Sequence, residues 1–306
     1  MKHLLFNPLM RFAILARGFD QTNLSGSVGG VTYRRVGGVT VASQKIPMHV
    51  EHTRTARLML TRMKWVNLVA LWKVINQTGW HPSFQRENRR VSDFNMFLRT
   101  NFPAAATYID KGVSRAYGAV VAPVRLTSGS VLSPIVVEYG TGGIPESDLS
   151  CPITLGSSTT LKAFSVAIVE SNSGWLMGDK LTILIVRQST TNGIPFGNAT
   201  ALSVTMDDSD TAETTMLSDI IDVSLIGVVD GCLALSGPVN GGCAMVHSRL
   251  VNGETLCSNA DLTVQNTALA GYQGLTAFNK AAESYGGIAR NYLLTPDTDI
   301  DIAEQI

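Results

Sequence analysis

No window of 18 uncharged apolar residues occurs in this chain of 306 residues, which excludes an ordinary transmembrane helix. The four cysteines, Cys151, Cys232, Cys243 and Cys257, include no C-x-x-C spacing. They read as small buried hydrophobes in a reducing cytoplasm, ahead of disulfides and well ahead of a zinc site. There is no G-x-S-x-G elbow, no Walker or dinucleotide glycine spacing, and no helix-turn-helix, RNP or zinc-finger signature. Cofactors and metals are therefore expected to be absent, and the chain is read as not an enzyme. Aromatic residues are modest at 7 % and charged ones reach only 16 %. The 45 % of apolar residues argue against disorder and give enough material for a core and for two domains.

The net charge of zero conceals a split. Residues 1–125 carry 18 Lys and Arg against 5 Asp and Glu, whereas residues 126–306 carry 6 against 19. The front is +13 and the back −13, so the two parts prefer different neighbours. A molecule with a basic and an acidic end attracts its own copies head to tail, and such heterologous contacts form rings or filaments.

Residues 1–17 form a leader whose apolar run is interrupted by Asn7, Pro8 and Arg11, and it is expected to be non-secretory. Residues 18–125 are the basic arm and helical region. Two β-prone runs, 31–36 and 39–43, flank Gly37-Gly38, a hairpin signal because tight primed turns need positive φ. Such an arm is too small to stand alone and suits strand addition to a neighbour. A long helix is expected over 53–77, capped by Thr53 or Thr55. Leu58, Met59, Met63, Val66, Ala70 and Lys73 form its stripe, broadened by Trp65, Leu68, Val69, Trp72 and Ile75. A second helix is expected over 92–101, with Ser92 as N-cap and Pro103 as its stop.

From Val124 onward the pattern turns to strands. The runs 135–139, 163–170, 181–187, 201–206, 216–224, 231–235 and 244–251 are short, rich in β-branched residues and bounded by turn formers. They predict an α+β chain whose second part, residues 126–294, is a mainly antiparallel β-sandwich of immunoglobulin-like kind. A helical piece over 274–283, a last strand over 285–294 and an acidic tail over 295–306 complete the prediction.

Few constellations carry chemistry. His49-x-x-His52 lacks the four-residue spacing of a zinc helix and reads as a solvated basic loop. Asp207, Asp208, Asp210 and Glu213 cluster hard oxygen ligands without the glycine and distal glutamate of a calcium loop, and read as a solvated acidic turn between two strands. His81 and His247 stand alone in the sequence. In the basic half, Arg34, Arg35, Arg54, Arg57, Arg62, Lys64, Arg86, Arg89 and Arg90 are placed to neutralise phosphates, with Tyr33, Trp65 and Trp80 to stack on bases. A solvated face or an arginine-rich protein interface is the preferred reading.

The order of motifs in the first hundred residues, Asn23-Leu-Ser-Gly26-Ser-Val-Gly29, Tyr33-Arg-Arg35, Arg54 to Arg62 and Asp93-Phe-Asn-Met-Phe97, resembles a family of uncharacterised proteins from Bacteroidetes and their crAss-like phages. The usual Gly-Lys-Val-Gly is Gly26-Ser-Val-Gly29 here, and an Asn-Pro before the helix is absent. The resemblance covers residues 18–294. It implies a virion or surface structural role and lends no catalytic residues.

These readings converge on a structural component of a tailed phage virion, in a portal-proximal ring or tail hub. Its partners would be its own copies and other virion proteins, with packaged DNA as a further contact of the basic half and no membrane. Interface candidates are Val31, Tyr33, Arg34, Arg35, Val39, Val41, Arg54, Arg57, Arg62, Trp65 and Trp72. The alternative is a fibre or surface module that binds carbohydrate or a host protein through exposed loop aromatics, namely Tyr139, Trp175 and Phe196.

Overall fold

The computed structural model describes residues 12–14, 26–28, 31–36, 39–44, 56–85, 91–130 and 132–285. The expectations for Gly37-Gly38, His49, His52, Arg54, Arg86, Arg89, Arg90 and residues 286–306 lie outside them. The chain divides into two compact units, Met1–Thr53 and Arg54–Ile306.

In the first unit, β1 (Phe12–Ile14), β2 (Gly26–Val28), β3 (Val31–Val36) and β4 (Val39–Gln44) form an antiparallel sheet in the order β1-β4-β3-β2. The hairpin read from the two valine-rich runs is its centre, with Val36 opposite Val39. Part of the leader is a strand: β1 pairs with Val41–Ser43, while β2 pairs with Val31–Tyr33. A ribbon of two strands is marginal in water, and two flanking strands make it a sheet.

The second unit runs through α1 (Ala56–Asn76), β5 (Ser83–Phe84), α2 (Asp93–Asn101), α3 (Lys111–Arg115), β6 (Val124–Ser128), β7 (Val137–Tyr139), β8 (Pro145–Ser150), α4 (Leu161–Ser171), β9 (Lys180–Thr191) and β10 (Ile194–Thr205). It continues through α5 (Asp210–Thr214), β11 (Ile226–Val229), β12 (Cys232–Leu235), β13 (Gly241–Val251), β14 (Glu254–Cys257), β15 (Ala260–Gln265) and α6 (Gly274–Ser284). A seven-stranded sheet follows the order β10-β9-β13-β15-β6-β5, with β14 paired to β13, and a four-stranded sheet the order β11-β12-β8-β7. Among the described residues only β5 and β6 pair in parallel.

The run Leu181–Val186 is buried throughout, a pattern that alternation toward one wet face would not give. Successive side chains point to opposite faces. Leu181, Ile183 and Ile185 meet Leu149 and Leu233 of the smaller sheet and Phe164 and Ile168 of α4. Leu184 and Val186 meet Leu71 and Ile75 of α1 and Phe97 of α2. The large sheet is thus covered on both faces: helices on one side, the smaller sheet and α4 on the other. The chain is α+β with a sandwich-like, mainly antiparallel β part. The immunoglobulin-like expectation does not follow from this strand order.

Two expected strands are something else. Residues 163–170 lie in α4, where Leu161, Phe164, Ser165, Ala167 and Ile168 recur at helical spacing on the buried face and Thr160 Oγ1 accepts from Ala163 N (3.2 Å). Residues 216–224 hold two 3-10 turns, Leu217–Asp219 and Val223–Leu225. Asp222 Oδ1 there accepts from Ser224 N (3.0 Å) and Oγ (2.6 Å), a local alternative to ladder bonds. Both long helices stand within a few residues of their expected bounds, and Ser92 caps α2. The buried stripe of α1 is Met63, Asn67, Leu68, Leu71 and Ile75; Lys73 is exposed. The charge boundary at 125/126 is not a fold boundary, because β6 straddles it and joins the large sheet.

The segment 119–122 is buried and lies outside the named strands, so its amides need other partners. Ala119 N donates to Pro195 O (2.9 Å), and side-chain carboxamides serve Val120 and Val121. Asn67 of α1 donates to Val120 O and accepts from Val120 N, both at 2.9 Å. Gln188 accepts from Val121 N (2.7 Å) and donates to Ala119 O (3.2 Å), and Asn266 donates to Val121 O (2.8 Å). Asn101, the last residue of α2, holds Arg125 N and O in the same two-handed way at 2.6 and 2.9 Å. Asn172, which caps α4, does so with Ser150 at 2.9 and 2.7 Å. Asn67→Ala strands both backbone groups of Val120 in the core and should cost roughly 2–4 kcal/mol. Asn172→Ala, at a half-buried position that water can reach, should cost less, as urea unfolding of the two variants will show.

Candidate functional site

Of the expected interface residues, those in the arm lie on the two central strands. Val31 pairs with Gln44, Tyr33 with Ala42, Arg34 with Val41, Arg35 with Thr40 and Val36 with Val39. Tyr33 and Arg34, being consecutive, face opposite ways. Ala42 is buried, Val31, Tyr33 and Val41 are half-buried and Arg34 is exposed. Among the residues of this unit whose exposure is described, Ala42 alone is buried.

Arg57, Arg62, Trp65 and Trp72 belong to α1. Trp72 is half-buried, its ring 5.4 Å from Phe94 and 5.3 Å from Phe97. Trp65 is 42 % exposed, so it does not lie beneath the sandwich. At 100° per residue Arg62, Trp65, Val69, Trp72, Lys73 and Asn76 share one stripe about 100° wide, opposite the buried one. Its lower half, with Phe94 of α2, lines a shallow groove of about 480 Å³.

The large sheet separates layers of opposite charge. The described residues of 56–115, which hold α1, α2 and α3, carry 7 Lys and Arg against 2 Asp and Glu. Residues 132–178 and 206–239, which hold the smaller sheet, α4 and α5, carry 11 Asp and Glu against a single lysine, Lys162. The acidic cluster at 207–213 belongs to this layer but is not a turn between strands: Ser209 caps α5, and Glu213 pairs with Lys162 at 2.9 Å. Some complementarity is satisfied within the chain, by Arg125 with Asp261 and by Lys280 with Asp110 (3.5 Å).

A charged cluster that sequence spacing did not disclose lies at the start of β9 and on β13. Asp179 is 1 % exposed and accepts from Arg249 Nε (2.6 Å), Arg249 Nη2 (2.7 Å), His247 Nε2 (2.8 Å) and Leu176 N (2.8 Å). Arg249 Nη2 also donates to Gly174 O (2.6 Å). Trp175 stacks flat on the His247 ring, 3.9 Å away at 7°. Leu176 apart, these partners are 68–75 residues apart in the chain, and only the i, i+2 spacing of His247 and Arg249 on one strand hinted at a shared face. Trp175, at 5 % exposure, is therefore a core residue rather than a loop-edge aromatic, and Tyr139 donates to Gly241 O (3.2 Å).

An aspartate–histidine pair is an acid–base unit by type, but this one is sealed. A carboxylate only accepts, so His247 Nε2 carries the proton, and Nδ1 has no hydrogen-bond partner. Burial lowers the His247 pKa below its ordinary value against the pull of Asp179. Burial also opposes the charged form of Asp179, yet the bonds from Arg249, Leu176 and His247 outweigh it and hold that pKa low. The cluster locks the loop before β9 onto β13.

Among the described residues no group of three or more His, Cys, Asp or Glu is placed to hold a metal ion, and no helix is long and apolar enough to cross a membrane. All four cysteines are unbonded; burial pushes the Cys243 thiol up to about 12. Comparison with protein families, with curated proteins and with solved structures finds no match for the chain.

The histidine gives the fold a pH window of known sign. Unfolded, His247 takes a proton as pH falls through about 6.5, while in the fold it stays neutral to lower pH. Its contribution is thus complete above 6.5 and lost as pH falls from there through the folded pKa. Asp179 acts in the same sense at lower pH, its contribution present above 3.8 and lost as pH falls through its depressed folded value. Urea midpoints measured from pH 7 downward should fall in these two stages, and His247→Gln should flatten the first. Cys243 should resist alkylation until the protein unfolds.

Proposed function

We propose that the chain is a structural component of a tailed, crAss-like phage virion, present in many copies of a portal-proximal ring or tail hub. The motif order of the first hundred residues supports the virion setting. The mode of assembly rests on one observation: among the described residues the large sheet carries a basic helical layer on one face and an acidic layer on the other, 7 basic against 2 acidic residues and 11 acidic against 1 basic. Two such faces are self-complementary without being identical, the condition for heterologous stacking into rings.

The arm supports the same reading. Among the residues of the four-stranded sheet whose exposure is described only Ala42 is buried, which leaves strand surface for a neighbour to cover. The hairpin is flanked along its base by β1 and β2, so a strand added by a neighbour would extend the sheet at β1 or β2 rather than at Val31–Tyr33 or Val41–Ser43.

Light scattering after gel filtration tests the proposal. At low salt the full chain should run as rings or ladders, and these should dissociate as salt shortens the screening length to about 3 Å near 1 M. Deleting the arm should leave a soluble protein that no longer assembles. A salt-independent monomer that is unchanged by loss of the arm would overturn the proposal.

A further inference from the structure

The outer stripe of α1 presents two tryptophans and a valine between two cations. Trp65 is 42 % exposed, Val69 and Trp72 are half-buried beside Phe94, and Arg62 and Lys73 are exposed. An apolar surface of this kind on a helix, rimmed by positive charge, suits an acidic segment that also carries aliphatic side chains. The sequence holds one. Residues 295–306 contain Asp297, Asp299, Asp301 and Glu304 with Ile300, Ile302 and Ile306. In an extended conformation the aspartates at 297, 299 and 301 share one edge and the isoleucines at 300 and 302 the other.

The path to the stripe is short. Helix α6 packs on α1, and Tyr285, at its C-terminus, belongs to the cluster of Met63, Tyr108, Phe278 and Ala281. Met63 is the immediate neighbour of Arg62, where the stripe begins. From Arg62 to Lys73 is ~17 Å along the helix axis. The 12 steps of chain from Tyr285 to Asp297 reach up to ~40 Å, enough to span the surface with chain to spare. We propose that residues 295–306 dock along the Arg62, Trp65, Val69, Trp72 and Lys73 stripe of their own chain. Tethering places the acidic segment at millimolar effective concentration, which a modest contact suffices to exploit. The docking is independent of the virion reading and would hold in a monomer. In an assembly the tail competes with a neighbour's acidic layer for the same basic face.

The test uses the full chain labelled with 5-fluorotryptophan, the Trp65 signal being assigned with Trp65→Phe. Neutralising the tail by Asp297→Asn, Asp299→Asn, Asp301→Asn and Glu304→Gln should shift the Trp65 fluorine resonance and leave that of buried Trp175 in place. A synthetic peptide of residues 295–306, added to the neutralised chain, should move the signal back. Arg62→Glu with Lys73→Glu should weaken that peptide by about tenfold, the worth of two exposed ion pairs. An unchanged Trp65 resonance on neutralisation would overturn the proposal. So would a shift that disappears on dilution, which would give the stripe to a second copy. Movement of the signal by a single-stranded oligonucleotide but not by the peptide would likewise overturn it, in favour of a nucleic-acid surface.

Discussion

The second unit depends on how it buries a stretch of backbone that lies outside its strands. Residues 119–122 are buried between the helical layer and the large sheet, where each unpaired amide would cost on the order of 1–3 kcal/mol. Asn67, Gln188 and Asn266 close those bonds from three directions, and Asn101 continues the pattern at Arg125. A carboxamide carries a donor and an acceptor side by side, as a peptide group does, and so stands in for a missing strand. The helices are therefore joined to the sheet by directional bonds as well as by apolar area, which fixes their position along it. The same device recurs where Asn172 ends α4 against Ser150.

That fixed position gives the charge split its spatial meaning. The basic and acidic halves of the sequence are not two ends joined by a linker. Strand β6 crosses the boundary between them, and α1 and α2 lie on strands from the acidic half. The large sheet then stands between oppositely charged layers. Its central strands β9 and β13 are covered on both faces, so the runs Leu181–Val186 and 242–246 are apolar or small on both sides apart from Thr182 and contribute no charge of their own. The buried cluster at Asp179 belongs to the acidic side but is closed by Arg249 and His247, and the field of that layer comes from its surface carboxylates.

Much of the fold was legible because its signals are local. The hairpin, α1, α2, α6 and the strands near 181–187, 201–206, 231–235 and 244–251 each carry periodicity, turn residues or caps within a dozen positions. The run at 163–170 misled because Val166, Ile168 and Val169 are strand formers by propensity, while the helical spacing of Leu161, Phe164 and Ile168 is what the core selects. Trp175 misled, and Trp65 could not be placed, since an aromatic side chain carries no mark of which neighbours will cover it. Trp65, an interface candidate, is exposed on the single chain, whereas Trp175 was expected at a loop edge and stacks on His247.

By itself the sequence determined the secondary-structure class, the charge asymmetry and the apolar supply for a two-sided core, because these follow from composition and from periods of two and 3.6 residues. Tertiary structure decided which residues meet across long separations. It brought Asn67 to Val120, Asp179 to His247 and Arg249, and the leader strand Phe12–Ile14 to Val41–Ser43. Such pairings satisfy donors, acceptors and charges that are indistinguishable, in the sequence, from those left to water, and only the path of the chain through the core selects between them.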